Sequence, residues 1–280
     1  MAKVILPADM GQLWEAMEAH PEARLYAGGT DLLVRLRAQA GPPPALVCLE
    51  RLEELRTIEE RGGELFLGAG ATHAQILEHP KVRGRLPVLA RALASLGSPQ
   101  VRNMGTLGGN LVTASPAGDS LPPLYVLGAE VQLISRKAGR RLPITEFIKG
   151  PGRVDLNPGE VVAGVCLPKS EGWTLQHFEK VGRRDALAIA LVSLAALLRL
   201  SSEGVVEEAR LAWGSVGPTV MRAPQAEAAL KGRPLGLASL GEAAELAGQA
   251  LTPIDDLRAS ASYRRRVAGN LLLRLAEREA

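Results

Sequence analysis

The chain has 280 residues, with 33 Lys or Arg against 30 Asp or Glu and a net charge of +3. That near balance and an aromatic content of 3% argue against a dedicated nucleic-acid binder, which carries a basic stripe interleaved with stacking aromatics. A hydrophobic content of 46% supports sizeable cores built from Leu, Val, Ile and Ala, in one large domain or two to three smaller ones.

The two cysteines, Cys48 and Cys166, lie in the apolar runs ALVCLE and VVAGVCLP. Two thiols make no disulfide framework, and they fall short of the four ligands an iron–sulfur cluster takes. The histidines, His20, His73, His79 and His177, form no compact metal pattern, so no protein-held metal is expected. The first residues, MAKVILPADM, lack a signal-peptide pattern. The longest apolar run, 186 to 198, is shorter than the roughly 20 residues a bilayer span needs. A cytoplasmic protein with no membrane span and no nucleic-acid partner is expected.

In chain order, LWEAMEAH from Leu13 has helical spacing and stops before Pro21. RLYAGGTDLLVRLRAQ reads as a strand, a glycine turn and a helix with Leu32, Leu33 and Leu36 on its apolar face. GPPPA at 41 is a break and ALVCLE a buried strand. ELFLGAGATHAQIL repeats strand, glycine turn and helix, the helix starting near Thr72. VLARALASLGSPQVRNMG reads as a helix followed by a loop, and TLGGN follows as a glycine loop. Pro122 and Pro123 suit a helix's first turn. AEVQLISRKAGRRLPI is a hairpin with a Gly139 turn, GEVVAGVCLP a strand, and Pro168 to Gly172 a linker. Beyond it come the strand TLQHFEKV, a long apolar segment to Leu200, a turn at SSEG and the strand ARLAWGSV. APQAEAALKG and LASLGEAAELAGQAL are helical. The final segment is an amphipathic helix with Val267, Leu271 and Leu275 in its apolar row and arginines over its other faces. The whole reads as an α+β protein in two parts.

Three stretches stand apart: YAGGTDLL, LGAGATHAQI and GTLGGNLVTASPAGD. The first two lead a strand through glycines and a hydroxyl into a helix. Backbone N–H groups at a helix start form an anion site, and glycine lets a ligand approach the backbone. Thr30 and Thr106 add hydroxyl donors. There is no GxxxxGK[ST], and GAGATH has only the first part of GxGxxG. Two separate phosphate loops suit a pyrophosphate, and Asp119, just after the second double glycine, suits a ribose hydroxyl.

YAGGTDLL and RNMGTLGGNLVTASPAGDSLPPL resemble the two FAD-binding signatures of the flavin subunit of molybdenum hydroxylases, the group of the carbon monoxide dehydrogenase medium subunit and the xanthine dehydrogenase flavin domain. THAQI, FEKVGRR, GPTVMRAP and SYRRRVAGNLLLR extend the likeness over nearly the whole chain. The resemblance implies an α+β fold. A two-subdomain FAD-binding region, of the type shared with vanillyl-alcohol-oxidase-like flavoproteins, would occupy residues 1–170, with subdomains of about 1–56 and 57–170. A C-terminal α+β domain of the carbon monoxide dehydrogenase flavoprotein type would occupy 171–280.

The resemblance also assigns residues. Ala27, Gly28, Gly29, Thr30, Asp31 and Leu32 would contact the FAD pyrophosphate through backbone amides. Thr106, Gly108, Gly109 and Asn110 would meet it from the other side, with Asn110 and Thr113 near the flavin end. Asp119 would bind a ribose hydroxyl, and Leu96, where some relatives carry an aromatic, would lie against the adenine. Val162 would meet the isoalloxazine through its backbone, and Lys180 would approach the same ring. No side chain is assigned as a catalytic acid or base. The implied function is an electron relay: a molybdenum-cofactor large subunit oxidises the substrate, and electrons pass through 2Fe–2S clusters on an iron–sulfur small subunit to FAD and then to an external acceptor. The alternatives are a stand-alone FAD oxidoreductase on the same fold, and a scaffold that has lost FAD.

Overall fold

The computed structural model describes residues 3–39, 45–169 and 172–278. The proline break at 42–44, and residues 170 and 171 of the expected linker, lie outside the described residues. β1 (Val4–Ile5) leads to α1 (Met10–Ala19), whose N-cap Asp9 accepts the Gln12 N–H. β2 (Arg24–Tyr26), α2 (Leu32–Ala38) and β3 (Leu46–Cys48) follow, and β1 and β2 both pair parallel to β3. β4 (Ile58–Arg61) and β5 (Glu64–Gly68) form a hairpin, and α3 (His73–Glu78) starts at a capping box of Thr72 and Gln75.

Five more helices follow: α4 (Pro80–Arg85), α5 (Pro87–Ser95), α6 (Pro99–Met104), α7 (Leu107–Thr113) and α8 (Leu121–Val126). The prolines at 122 and 123 do stand in a first turn. The expected loop at SPQVRNM is instead α6, capped by the Ser98 hydroxyl with Pro99 at its first position. The expected glycine loop at TLGGN is the first turn of α7. β6 (Glu130–Ile134) and β7 (Gly139–Pro143) pair as a hairpin; its turn is closed by Ser135, and Gly139 already belongs to β7. α9 (Ile144–Phe147), β8 (Ile148–Gly150), β9 (Arg153–Val154) and β10 (Val161–Leu167) complete this part.

The remainder is β11 (Leu175–Val181), β12 (Val192–Leu200), β13 (Val206–Gly214), β14 (Met221–Arg222), α10 (Pro224–Leu230), α11 (Leu237–Ala250) and α12 (Ala261–Leu273). The chain forms two compact units, and neither is one continuous stretch. The first comprises Met1–His79, Ser98–Thr113 and Ala129–Lys169; the second comprises Pro80–Gly97, Ala114–Gly128 and Ser170–Ala280.

The first unit holds the three-stranded sheet β1-β3-β2 and the antiparallel sheet β4-β5-β10-β6-β7. Every residue of β10 is buried, as its unbroken apolar run requires of a central strand. One core cluster packs Leu13 and Ala16 of α1 against Val47, Leu52, Leu55 and Val161.

The second unit is built on the antiparallel sheet β11-β12-β13-β14. Leu194, Ala196, Leu198, Leu211 and Trp213 face the core made with α10, α11 and α12. Alternating residues point the other way: the Arg210 guanidinium donates to the Val126 carbonyl of α8 at 3.4 Å, and Gly214 packs against Pro122. α5 packs on β11. The sheet is thus covered on both faces, which is why 80–97 and 114–128 leave their sequence neighbours to join it. The long apolar segment ending at Leu200 is strand β12 with seven buried residues.

One arginine of the last helix does not lie on an outer face. Arg264 is 3% exposed. Its guanidinium donates to the carbonyls of Leu191 at 2.8 Å and Ser215 at 3.0 Å and pairs with Asp256 at 2.8 Å. Ser215 sits at φ +64°, so its strained carbonyl is held in place by this donor. Arg264→Met is expected to cost about 3 kcal/mol in denaturant unfolding, because two carbonyls and a carboxylate lose their donor together. Arg265→Met, on the same helix, is expected to cost under about 0.5 kcal/mol in the same titration.

Candidate functional site

In the first unit the first two glycine stretches lie beside residues 105–113 of the third. β2 runs into Ala27-Gly28-Gly29-Thr30, and Gly29 takes φ +67°, the left-handed conformation that favours glycine. At Gly28 a Cβ would stand 1.6 Å from the Met104 carbonyl oxygen, so the turn's backbone lies against the end of α6. Gly105 continues the contact: its missing Cβ would fall 3.3 Å from the Thr30 hydroxyl and 3.3 Å from the His73 ring.

The second stretch is stitched to the third by backbone hydrogen bonds. His73 N–H donates to Gly105 O at 3.0 Å, Leu107 N–H to Ala71 O at 3.1 Å and Gly108 N–H to Ala69 O at 2.8 Å. Thr72 and Thr106 form a bridge pair. Ala69 in turn donates to Ala163 O at 2.9 Å, at the bulge that follows Val162 in β10. A cleft of about 70 Å³ opens among them, lined by Ala27, Gly28, Gly70, Thr72, Asn103, Met104 and Thr106, with Leu49, Glu50 and Arg56 at its side.

The two glycines of TLGGN have different surroundings. Gly108 is buried, and a Cβ there would meet Ala69 Cβ at 2.7 Å. Gly109 is exposed, and a Cβ there would meet only the Thr106 hydroxyl at 3.1 Å. That hydroxyl accepts the Gly109 N–H at 3.2 Å, so its own O–H stays available as a donor. Asn110 stands half-buried beside them. Thr113 donates to Asp31 at 2.9 Å, fastening the end of α7 to the start of α2, and Arg35 pairs with Asp31 at 2.7 Å. Leu32 is half-buried on α2, a helix with no fully buried residue.

The second unit holds Leu96, Asp119 and Lys180. Leu96 ends α5. Asp119 is 7% exposed, and its Oδ2 accepts from Lys180 Nζ at 2.7 Å. The same ammonium donates to the Ser95 carbonyl at 2.8 Å. Asp119 Oδ1 is buried and has no hydrogen-bond partner. Burial pushes the carboxyl up to about 6, against the opposing pull of the Lys180 ammonium.

Asn103, Met104 and Arg56 line the cleft without a role assigned to them from the sequence. Gly70 and Thr72 lie in the LGAGATH stretch, whose glycines were a visible signal. Arg56 carries none, since its place beside the cleft comes from the fold. Among the described residues no group of three or more His, Cys, Asp or Glu could hold a metal ion, and no helix is long and apolar enough to cross a membrane.

The chain is thus an α+β protein whose first unit holds a glycine-lined cleft and whose second is built on one antiparallel sheet and its helices. Comparison with known proteins gives the family. A profile described as "FAD binding domain in molybdopterin dehydrogenase" matches residues 1–170, and one described as "CO dehydrogenase flavoprotein C-terminal domain" matches 176–278. The xanthine dehydrogenase FAD-binding subunit of Escherichia coli O157:H7 is 34% identical over 248 residues, 88% of this chain and 84% of that one. The carbon monoxide dehydrogenase medium chain of Hydrogenophaga pseudoflava is 30% identical over 253 residues, 90% and 88% of the two chains. The structure of quinoline 2-oxidoreductase from Pseudomonas putida 86 superposes with a TM-score of 0.92 at 32% identity, covering 99% of this chain and 96% of that one. The chain belongs to the FAD-binding subunits of the molybdenum hydroxylase family, as an oxidoreductase component.

The geometry separates packing glycines from open ones. Gly28→Ala and Gly108→Ala are expected to lower the melting temperature of the protein stripped of flavin, because each Cβ overlaps fixed backbone or a buried methyl. Gly109→Ala is expected to leave it unchanged or raise it, since alanine in a helix is favoured by roughly 1 kcal/mol.

His73 makes the first unit acid-sensitive. Its ring is buried, Nδ1 has no partner, and burial, aided by the charge of Arg102, lowers its pKa from 6.5 to about 4. The unfolded chain takes up this proton near pH 6.5 while the folded one refuses it until about pH 4. The stability it confers is therefore present above pH 6.5 and is lost as pH falls, on the order of 3 kcal/mol at the limit. Between pH 7.5 and 4.5 the melting temperature of His73→Gln is expected to fall less than that of the wild type.

Proposed function

We propose that this subunit relays electrons: it takes them from the 2Fe–2S clusters of an iron–sulfur partner subunit, which is fed by a molybdenum-cofactor subunit, and passes them to an external acceptor. The observation that carries the reading is the convergence of all three glycine stretches on one cleft bordered by threonine hydroxyls, with Glu50 and Arg56 at its side. FAD, when bound, supplies the redox chemistry; the residues of the chain bind and orient it.

In the first unit the proposed contacts are the backbone of 27–32, with Thr106, Gly108, Gly109, Asn110, Thr113 and Val162. Gly108 would contribute through its packing on Ala69, which holds α7 in place, and Gly109 through its open face. The Thr106 O–H is free to donate to a phosphate oxygen. In the second unit the proposed contacts are Leu96, Asp119 and Lys180. The buried, unpartnered Asp119 Oδ1 suits a ribose hydroxyl, a donor that would satisfy it. The named relatives, a xanthine dehydrogenase subunit and a carbon monoxide dehydrogenase medium chain, support the division of labour among three chains.

The purified protein is expected to carry one noncovalent FAD, released on heat denaturation and visible in its absorption spectrum. Asp119→Ala is expected to weaken FAD binding about ten- to a hundredfold in a fluorescence titration, the cost of a charge-assisted hydrogen bond. Expressed with its neighbouring genes, the chain is expected to copurify with an iron–sulfur and a molybdenum subunit. A yellow protein that never copurifies and reduces its own substrate would favour a stand-alone oxidoreductase instead.

A further inference from the structure

The ammonium of Lys180 has two fixed partners in the second unit, one the carboxylate proposed for the ribose and the other next to the residue proposed for the adenine. It donates to Asp119 Oδ2 at 2.7 Å and to the Ser95 carbonyl at 2.8 Å. Its side chain is 10% exposed and that of Asp119 9%, so this is a buried pair. With Oδ2 taken, the carboxylate can rotate little, and Oδ1 is left as its one open acceptor. Ser95 is the residue before Leu96 and the last of α5. One ammonium therefore fixes the carboxylate proposed for the ribose and the helix end that carries the residue proposed for the adenine.

We propose that Lys180 is the positioning residue of the adenosine half of the FAD site, acting through Asp119 and the end of α5 rather than on the isoalloxazine ring. The inference rests on the reading of Asp119 and Leu96 given above. The ion pair also keeps Asp119 ionised against its burial, which favours a carboxylate that accepts hydroxyl bonds. The other charged groups on the packed elements are engaged elsewhere: Glu179 pairs with Arg274 and His177, and Arg91 donates to the Gln176 carbonyl and lies beside His177.

The test is Lys180→Met, with Lys180→Arg and the double variant Lys180→Met/Asp119→Asn alongside, each stripped of flavin and titrated with FAD and with ADP as a competitor. ADP carries the adenosine and pyrophosphate without the flavin ring. Lys180→Met is expected to lose at least tenfold in affinity for both FAD and ADP, while residual bound FAD keeps the wild-type absorption spectrum and reduction potential. The pH below which FAD affinity falls is expected to move upward, because the carboxyl has lost the charge that kept it ionised. A purely structural loss would lower affinity equally at every pH. Lys180→Arg is expected to recover part of the affinity. If the lone methionine variant fails to fold, the double variant removes the buried uncompensated charge, and it is expected to fold and still bind ADP weakly.

Unchanged ADP affinity with a shifted flavin potential or spectrum would overturn the proposal and put Lys180 at the ring. Unchanged affinity for both ligands would also overturn it. A wild-type protein that binds neither FAD nor ADP would instead overturn the reading of the site itself.

Discussion

The site depends on backbone meeting backbone without side chains between. Ala69, Ala71 and His73 exchange main-chain hydrogen bonds with Gly108, Leu107 and Gly105, and the Gly28 turn closes on Met104 from another side. None of these approaches leaves room for a Cβ at Gly28 or Gly108. The contacts satisfy polar groups that would otherwise be buried unpaired. They also leave a cleft that the glycine turns share with Asn103, Met104 and, at its side, Leu49, Glu50 and Arg56.

The two units use one tactic for different ends. In each, a central strand is buried along most of its length, β10 in the first and β12 in the second. Such a strand needs cover on both faces. The first unit obtains part of it from α7, which packs on β5 and β10 and starts directly after Thr106 of the cleft. The second obtains it from α5 and α8, borrowed from the middle of the chain, and these helices flank Leu96 and Asp119. The proposed ligand contacts thus sit on or beside the elements that close the cores, which fixes their positions through packing.

Electrostatics adds little to the overall balance and much locally. Exposed arginine pairs such as Arg35–Asp31 and Arg136–Glu18 are screened and contribute little to stability. The buried groups matter more. Arg264 ties two carbonyls to Asp256, and Lys180 ties Asp119 to Ser95. Each such group is costly to desolvate, and each is held by more than one partner. Arg264 and Asp119 each also keep one buried polar atom without a partner, Nε in Arg264 and Oδ1 in Asp119.

Much of this was legible in the chain itself. The strand–glycine–helix stretches, the family signatures and the apolar rows of Val267, Leu271 and Leu275 are local patterns, because turn chemistry and periodicity act over a few residues. The α6 helix was legible too, in Ser98-Pro99, but was masked by the neighbouring glycines. Other features belonged to the tertiary structure alone. TLGGN is a helix because hydrogen bonds to Ala69 and Ala71 outweigh the poor helix propensity of two glycines. Arg264 is buried because carbonyls from two distant loops converge on it, which no helical wheel records. Lys180 meets Asp119 across 61 positions of sequence, and no spacing rule connects residues that far apart. Sequence determined which segments carry backbone-exposing turns; packing decided which of those turns face one another.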